Sequence, residues 1–544
     1  MSCVVPEHRQ STPWARGYRA AGLWSGVAIG ESFARTVARR GDGVALIEGD
    51  RAIGFAELER RVAGLAAGLA ALGVRAGDAV AYQLPNWWEA AATFLAAVAL
   101  GAHAVPIVPI LRGRELSVIV RQTRPRVVVL PHQHRNVDFV AQLREVLAAV
   151  PGVDPVLVVA RATSAALGPR ATSFTDVAAA APSPLPAVDP DRLALVIYTS
   201  GSTAEPKGAL HTHQTLTAEL ASLVVAHGLG DADRVLMPSP LTHISGVIHG
   251  ILAPALLGTS AVLEERWEAG AGLRDVARHR VTYMIGAPTF LQEMLAHPQL
   301  AEHDLSSLRL FSCGGASVAP ELMRLGRERI PGATTKRSYG SSEFPTIATT
   351  GVADALARGL DTEGRALQGV EIRISDDAGR ALDAGTEGEI RARGPECFLG
   401  YVDATLDADS FDADGFFRTG DLGVLDGDGY LRVTGRVKDI IVRKGEKISA
   451  REVEDLLLMH PAIADAALIP LADAKTGERA CACIQLARDA QPVTLDALVA
   501  FLRGHDLTPQ KLPEQLEIVD EFPRAPSGKI NKRLLRESIE RRAR

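Results

Sequence analysis

Short apolar runs alternate with longer Ala- and Leu-rich stretches over most of the chain, and this alternation limits the fold more than any other feature. The stretch "FAELERRVAGLAAGLAALG" has helical periodicity and ends at Gly73. The runs that follow it have the length and β-branched content of buried strands: "DAVAYQL", "HAVPIV", "RVVVLP", "PVLVVA" and "ALVIYTS". Strands that alternate with helices predict an α/β fold with layered, parallel sheets.

The length of the chain predicts more than one domain, because 544 residues exceed what one hydrophobic core supports. The loop "PSPLPAVDP", Pro182–Pro190, separates a first α/β series from a second one over about 191–340. After about Gly388, short strands with Gly/Asp turns indicate a small β-rich subdomain. We therefore predict a large N-terminal domain, residues 1–436, made of two α/β subdomains and the β-rich subdomain, followed by a small α+β C-terminal domain, residues 437–544.

Composition excludes several classes of protein. A net charge of -6 argues against a nucleic-acid partner, and five cysteines make no disulfide framework, which suits a cytoplasmic protein. Cys481 and Cys483 alternate with apolar residues, as on one face of a strand. The N-terminus has no apolar segment typical of a signal peptide. The longest uncharged stretch, Ala90–Leu111, contains glycine and prolines, so it predicts a buried helix followed by a strand rather than a transmembrane segment.

The segment "YTSGSTAEPKG", Tyr198–Gly208, follows the last of these apolar runs. Backbone N–H groups, hydroxyls and an ammonium in one loop can bind a phosphate, although an ordinary polar loop is the alternative. The segment is not a P-loop, because Pro206 and Gly208 replace required residues. The candidate phosphate ligands are Thr199, Ser200, Gly201, Ser202, Thr203 and Lys207.

Lysine is rare in this chain, with 9 residues against 50 arginines. Arginine cannot always replace a compact ammonium on a flexible stem, so lysines that cluster are candidates for function, with chance clustering of solvated side chains as the alternative. Five of them lie in three short Gly-containing segments: Lys207, Lys438, Lys444, Lys447 and Lys529.

Six further motifs follow the phosphate segment, and together they carry a resemblance. The chain is similar to the adenylate-forming superfamily of acyl-CoA synthetases, peptide-synthetase adenylation domains and luciferases, whose motifs occur in the same order. Through "QLPNWWE", "VPIVPILRGREL" and "DIIVRKGEKISAREVEDLLL" it most resembles short- and medium-chain acyl-CoA synthetases and cyclohexanecarboxylate–CoA ligases. The six motifs are "PLTHISG", "SCGGAS", "YGSSE", "FFRTGDLG", "YLRVTGRVKDIIVRKGEKIS" and "PRAPSGKI".

The resemblance implies a two-step reaction with ATP, Mg²⁺ and coenzyme A as cofactors. A carboxylate attacks the α-phosphate of ATP to give an acyl-AMP and pyrophosphate, and a thiolate then displaces AMP. Both steps bring anions together, so the enzyme must supply positive charge and positioning. The expected partners are a small-molecule carboxylic acid, ATP and CoA, with no nucleic acid and no transmembrane segment, and a homodimer is allowed.

The resemblance also implies roles for individual residues at the nucleotide. Glu343 corresponds to the Mg²⁺ ligand, and Ser342 places a hydroxyl near the α-phosphate. Tyr339 stacks on adenine, while Asp421 accepts the ribose hydroxyls and Arg436 reaches the same sugar. The remaining nucleotide-lining positions are Gly314, Gly315, Ala316 and Gly340.

The last motifs imply the catalytic lysine and the moving parts. Lys529 matches the lysine that bridges the carboxylate and the α-phosphate, and Lys438 lies at the hinge about which a mobile C-terminal domain rotates between half-reactions. Gly445 matches the glycine of the pantetheine tunnel. Lys444 and Lys447 meet CoA phosphates or are merely solvated. Ala204 departs from the usual glycine of the phosphate loop, which predicts strain where a positive φ is required.

The expected acid pocket contains His243 and Ile244, together with Gly314 and Gly340. Amino-acid-activating relatives carry Asp, and dihydroxybenzoate-activating relatives Asn, at the position of Ile244. An apolar side chain cannot offset the desolvation of an ammonium or phenol, so the sequence predicts an apolar medium-chain, alicyclic or polycyclic acid. The alternatives are an aryl-acid adenylating enzyme that loads a carrier protein, suggested by "YRAAGLW", a luciferase-like oxygenase and a non-catalytic binding homologue.

Overall fold

The computed structural model describes residues 12–162, 167–199, 205–316, 318–352, 354, 356–443, 446–473, 477–488, 490–505, 507–524 and 530–542. Several predicted site residues lie outside these ranges, and the backbone alone is described for Lys447. The predictions outside the described residues concern Ser200, Gly201, Ser202, Thr203, Ala204, Lys444, Gly445 and Lys529.

The first sheet contains seven strands among the described residues, and helices cover its two faces. Six strands are parallel, as the sequence predicts, and the edge strand Lys207–Thr212 is antiparallel to its neighbour. In spatial order the strands are Lys207–Thr212, Leu193–Thr199, His103–Pro106, Ala79–Tyr82, Val127–Pro131, Val156–Ala160 and Ala171–Ser173.

The central sheet contains thirteen described strands, and its two halves differ in direction. One half is parallel except for the edge strand Arg51–Gly54; its other strands are Val44–Glu48, Ser260–Leu263, Arg234–Met237, Tyr283–Gly286, Leu310–Cys313 and Thr334–Tyr339. The other half is antiparallel and contains Ala348–Thr349, Gly364–Ala366, Tyr430–Arg436, Phe417–Leu425, Gly388–Arg393 and Glu371–Ser375.

The predicted boundaries of the subdomains need correction. The strand Leu193–Thr199 lies after the proline-rich loop but pairs in parallel with His103–Pro106 of the first sheet. Conversely, the early strand Val44–Glu48 pairs with Ser260–Leu263 of the central sheet. The antiparallel, β-rich part begins at Ala348 rather than near Gly388. An apolar run predicts a buried strand, but long-range packing decides which strand lies beside it.

The helices of the large domain confirm the predicted alternation. The helix Phe55–Ala71 ends just before Gly73, whose φ is +91°. The uncharged stretch forms the fully buried helix Trp88–Ala99 and the strand His103–Pro106, as predicted. Among the described residues, no helix has the length and apolar character needed to cross a membrane. The other helices of eight residues or more are Pro13–Ala20, Ile29–Arg40, Gly113–Thr123, Phe139–Ala149, His213–His227, Ala269–His279, Pro288–Ala296, Pro320–Arg329 and a π-helical Val247–Leu257.

The small C-terminal domain has a sheet with five strands in the part of the chain that the structure describes, and it has its own apolar cores. Cys481 and Cys483 are fully buried on the same face of one strand, as predicted. Ser449 lies directly before the helix Ala450–Leu457 but does not cap it, because its hydroxyl donates to the carbonyl of Thr434. The strands are Ile440–Arg443, Glu446–Ser449, Ile463–Asp473, Gly477–Leu486 and Gln515–Ile518, and the helices are Ala450–Leu457, Leu495–Gly504 and Lys532–Arg542.

Candidate active site

The parallel strands of the central sheet place the predicted motifs along one edge. Strands Leu310–Cys313 and Thr334–Tyr339 are neighbours in register, with Cys313 opposite Arg337. Their carboxyl ends lead directly into Gly314–Ala316 and Gly340–Glu343, and Gly314 donates its N–H to Gly286 at the end of the next strand (3.0 Å). The carboxyl edge of a parallel sheet is where such folds bind ligands, so this edge is the candidate site.

The turn Gly340–Pro345 requires its first glycine. A Cβ at Gly340 would lie 2.0 Å from the carbonyl oxygen of Pro345. Ser341 closes the turn: its N–H donates to Phe344 O (2.8 Å), and its hydroxyl accepts from the N–H groups of Glu343 and Phe344 (3.2 Å each). The tight turn therefore fixes the backbone of Ser342 and Glu343 directly after Tyr339.

One end of the site contains a carboxylate with two bound donors. The phenol of Tyr339 donates to Asp421 Oδ2 (2.8 Å), and Arg436 Nε lies 2.9 Å from Asp421 Oδ1. Antiparallel strands place Asp421 and Arg436 opposite each other. The charge of Asp421 raises the pKa of Arg436, and burial, followed by that same charge, raises the pKa of Tyr339. Asp421 is thus held in place with lone pairs left to accept further hydroxyl groups.

The other end of the site joins a second carboxylate to a lysine. The phenol of Tyr401 donates to Glu343 Oε1 (2.8 Å), and the ring centroid of Tyr401 lies 5.4 Å from Lys207 Nζ. Thr199 and Lys207 are paired across the two strands that flank the predicted phosphate loop. A lysine and a carboxylate therefore lie on either side of one aromatic residue.

The backbone of Ser342 is held in place by His211, a histidine that the sequence analysis did not single out. His211 Nε2 donates to the carbonyl of Ser342 (2.8 Å), which leaves Nδ1 to accept from Thr215 (3.2 Å). Complete burial lowers the pKa of His211 to about 4, so the imidazole is neutral at pH 7. Since a carbonyl only accepts, this hydrogen bond fixes the tautomer.

The loop that carries His243 and Ile244 is fixed by Tyr82, at the end of a strand of the first sheet, and by Asn86, in the loop that follows this strand. Asn86 accepts from Leu241 N–H (2.7 Å) and donates to Ser239 O (2.9 Å), while Tyr82 donates to Leu241 O (3.2 Å). His243 Nδ1 lies 3.1 Å from Ser245 Oγ, and Ile244 is 5% exposed among apolar side chains. The motif "QLPNWWE" thus contains the buried amide of Asn86. The sequence analysis used this motif only for the resemblance to the family and did not predict the role of the amide.

Lys438 lies in the short connection Val437–Asp439, between the last strand of the large domain and the first strand of the small one. This is the position at which the sequence predicts a hinge. The sequence analysis did not single out three residues that hold the site in place: Tyr401, His211 and Asn86. Each of them acts through contacts with residues distant in the chain.

Comparisons with known proteins place the chain in a family. Residues 33–402 match the family model of the AMP-binding enzymes, and residues 452–529 match that of the AMP-binding enzyme C-terminal domain. The chain belongs to the AMP-binding enzymes, the adenylate-forming superfamily that its motifs predict.

The relatives are ligases that span nearly the whole chain. The chain is 36% identical to a medium-chain fatty-acid–CoA ligase of Escherichia coli (strain K12), over 96% of this chain and 93% of that protein. It is 32% identical to a 2,3-dihydroxybenzoate-AMP ligase of Bacillus subtilis (strain 168), over 97% of each. The crystal structure of the anthranilate CoA ligase AuaEII in complex with anthranoyl-AMP superposes with a TM-score of 0.87 at 26% identity, covering 95% of this chain and 98% of that one. The predicted enzyme class, an AMP-forming acid–CoA ligase, is confirmed.

Proposed function

We propose that this enzyme activates an apolar carboxylic acid through an acyl-AMP and transfers the acyl group to coenzyme A, releasing AMP and pyrophosphate. One observation carries the proposal: the segment Tyr339–Glu343 links two carboxylate sites, Asp421 at one end and Glu343 at the other. A nucleotide has the same polarity, with ribose hydroxyls at one end and metal-bound phosphates at the other. The order of the two sites along this segment matches the order of these groups in ATP.

The residues at each end have the chemistry that ATP needs. Asp421 would accept the ribose hydroxyls, with Arg436 beside it and Tyr339 against the base. Lys207 and Thr199 would contact the phosphates from the strand ends, and Ser342 would lie near the α-phosphate. The loop Gly314–Ala316 would line the base, where a Cβ at Gly314 would approach Ser338 O to 2.9 Å.

The residues present fit Mg²⁺ at the phosphate end. Glu343 Oε2 has no hydrogen bond to any residue that the structure describes, and no cluster of three or more His, Cys, Asp or Glu residues forms a protein-only metal site within the described ranges. One carboxylate plus substrate phosphates is the usual arrangement for Mg²⁺. When bound, the ion would neutralise charge on the phosphates, while Glu343 would orient it.

Four further roles complete the proposal. Lys529 would bridge the carboxylate and the α-phosphate in the first step. A rotation of the C-terminal domain, residues 437–544, about Lys438 would then bring Gly445 to the pantetheine path. Lys444 and Lys447 would lie near the phosphates of CoA.

The apolar character of the acid rests on Ile244. Its side chain is buried, and neither Ile244 nor the neighbouring Val247 and Ile248 offers a group that would compensate a buried ammonium or phenol. The relationship to a medium-chain fatty-acid–CoA ligase supports the same class of acid.

A second candidate is an aryl-acid adenylating enzyme. It is favoured by the 2,3-dihydroxybenzoate-AMP ligase and the anthranoyl-AMP complex among the similar proteins. In that case the acceptor thiol would belong to a carrier protein or to CoA, and the ring would replace the aliphatic chain in the pocket.

The deciding experiment incubates the protein with ATP, Mg²⁺, CoA and a panel of acids and identifies products by mass. The proposal expects AMP and the thioester of an aliphatic or alicyclic acid. An acyl-AMP formed only from aryl acids would support the second candidate, and no adenylate from any acid in the panel would contradict both.

A further inference from the structure

The segment Phe398–Val402 lies between the two halves of the phosphate end and pairs with the strand Lys207–Thr212 through a β-bridge between Ala209 and Tyr401. On one side Leu399 donates to Leu210 O (2.9 Å), and Val402 donates to Gly208 O (2.8 Å). On the other side Phe398 donates to the backbone carbonyl of Glu343 (2.8 Å). One short segment therefore ties the strand that begins at Lys207 to the turn that presents Glu343.

The side chain of Tyr401 also connects the two halves of the phosphate end, because it contacts a charged group on each side. Its hydroxyl donates to Glu343 Oε1, and its ring lies beside the ammonium of Lys207. Tyr401 is 5% exposed and packs edge-on against Phe398 at 4.8 Å.

We infer that Tyr401 is a positioning residue for the metal–nucleotide complex. Its hydroxyl fixes the rotation of the Glu343 carboxylate, so that Oε1 is occupied and Oε2 remains available to a divalent cation. Its ring holds the ammonium of Lys207 at a set distance from that carboxylate through a cation–π contact. This inference rests on the proposed function, because it requires a divalent cation and phosphates at this end of the site.

Loss of the hydroxyl has a defined physical consequence. A carboxylate without its donor rotates freely and is solvated, so its oxygen must be ordered when the metal binds. Removing such an outer-sphere partner typically weakens metal binding about 10- to 100-fold. If the hydroxyl only satisfies the polar requirements of a buried residue, its removal lowers stability and leaves metal affinity unchanged.

The test measures Mn²⁺ binding directly, by electron paramagnetic resonance, in the presence of a non-hydrolysable ATP analogue. Tyr401→Phe keeps the ring and removes the hydroxyl, so we expect Mn²⁺ to bind at least about tenfold more weakly. Affinity for the analogue without metal should be unchanged. Tyr430→Phe is the matched control, because Tyr430 is also buried and donates to a carboxylate, Asp354 (2.6 Å), outside the site.

Two further variants separate the hydroxyl from the ring. Tyr401→Leu should also weaken metal-free binding of the analogue, by about two- to fivefold, because Lys207 loses its aromatic partner. In a Glu343→Ala background, Tyr401→Phe should cause no further loss of Mn²⁺ affinity, since the hydroxyl acts only through Glu343.

The outcomes distinguish the inference from the proposed function. A wild-type enzyme that binds no Mn²⁺ with the analogue contradicts the proposed function itself. A wild-type enzyme that binds it, with Tyr401→Phe giving the same affinity, overturns the role of Tyr401. Additive losses in the Glu343→Ala background also overturn it.

Discussion

Arg451, in the first helix of the small domain, donates to Glu363 of the large domain across 2.9 Å, and Glu363 is 4% exposed. Arg337, two residues before Tyr339, lies 3.6 Å from the same oxygen, while the other oxygen of Glu363 accepts from Val433 N–H (2.8 Å). Burial disfavours the charge of Arg451, but the carboxylates of Glu363 and Asp455 offset this and raise its pKa. The two domains thus share a buried ionic contact whose second arginine lies two residues before Tyr339.

This geometry predicts that the two partners have unequal effects on stability. Arg451→Ala leaves Glu363 paired with Arg337, so the large domain should unfold with nearly unchanged free energy while the small domain docks more weakly. Glu363→Ala leaves Arg337 buried without its carboxylate, which should cost about 3–5 kcal/mol. Chemical denaturation measures the free energy of unfolding, and hydrogen exchange in Ala450–Leu457 measures docking. Equal destabilisation by both variants would contradict this assignment.

The turn that carries Glu343 should tolerate no side chain at Gly340. A Cβ there would meet Pro345 O at 2.0 Å, so Gly340→Ala must displace the turn and with it Ser342 and Glu343. We expect ATP affinity to fall at least tenfold, equivalent to about 1.4 kcal/mol. Gly230→Ala is the control, because a Cβ at Gly230 meets no atom within 4 Å. Calorimetric titration with ATP and Mg²⁺ tests both, and a Gly340→Ala protein with wild-type affinity would count against the placement of the site.

Buried histidines should make the protein sensitive to acid below about pH 6.5. Burial lowers the pKa of His103, His211 and His213 to about 4, from the ordinary value of 6.5. The unfolded chain therefore binds more protons than the folded one between these values. The stability that each neutral imidazole contributes is present above pH 6.5 and is lost as the pH falls to 4, by up to about 3 kcal/mol per group.

His103 offers the cleanest test of this pH dependence, since both of its ring nitrogens are buried without a hydrogen-bond partner among the described residues. His103→Leu should flatten the decline in free energy of unfolding between pH 6.5 and 4.5. His505→Leu, at an exposed position, should leave the slope as in the wild type. Denaturation series across this pH range give the comparison, and an unchanged slope in His103→Leu would show that His103 does not contribute.

The sequence predicted the strands and their parallel pairing because buried strands in α/β folds are continuous apolar runs. It did not predict that the early strand Val44–Glu48 lies in the central sheet or that the later strand Leu193–Thr199 lies in the first sheet, since packing decides the pairing between distant segments. The chemistry of Asp421, Arg436 and Glu343 was accessible through motifs. Tyr401 and His211 were not, because a tyrosine and a histidine acquire their roles only from the carboxylate and carbonyl that folding places beside them.

Substitution of Lys529 should affect the rates of the two half-reactions unequally. Lys529→Ala should reduce acyl-AMP formation by several orders of magnitude, because the role proposed for the ammonium is to neutralise charge between the carboxylate and the α-phosphate. Thioester formation from synthetic acyl-AMP should remain largely intact, since the proposed role confines the lysine to the first step. Pyrophosphate release and thioester release are followed separately, and Arg533→Ala, at an exposed position of the helix Lys532–Arg542, is the control. Equal loss of both half-reactions would contradict the role.

Ile244 should determine which acid is accepted. The enzyme should use octanoate or cyclohexanecarboxylate at least about tenfold better than leucine or 2,3-dihydroxybenzoate, because an unpaired buried ammonium or hydroxyl costs about 1–3 kcal/mol or more. Ile244→Asp should harm use of the apolar acids by placing a charge against the buried side chains around Ile244 and should admit leucine weakly. Ile248→Val, a smaller change in the same core, is the control. Pyrophosphate release rates for the four acids decide the matter, and a preference of the wild type for leucine or 2,3-dihydroxybenzoate would contradict the apolar pocket.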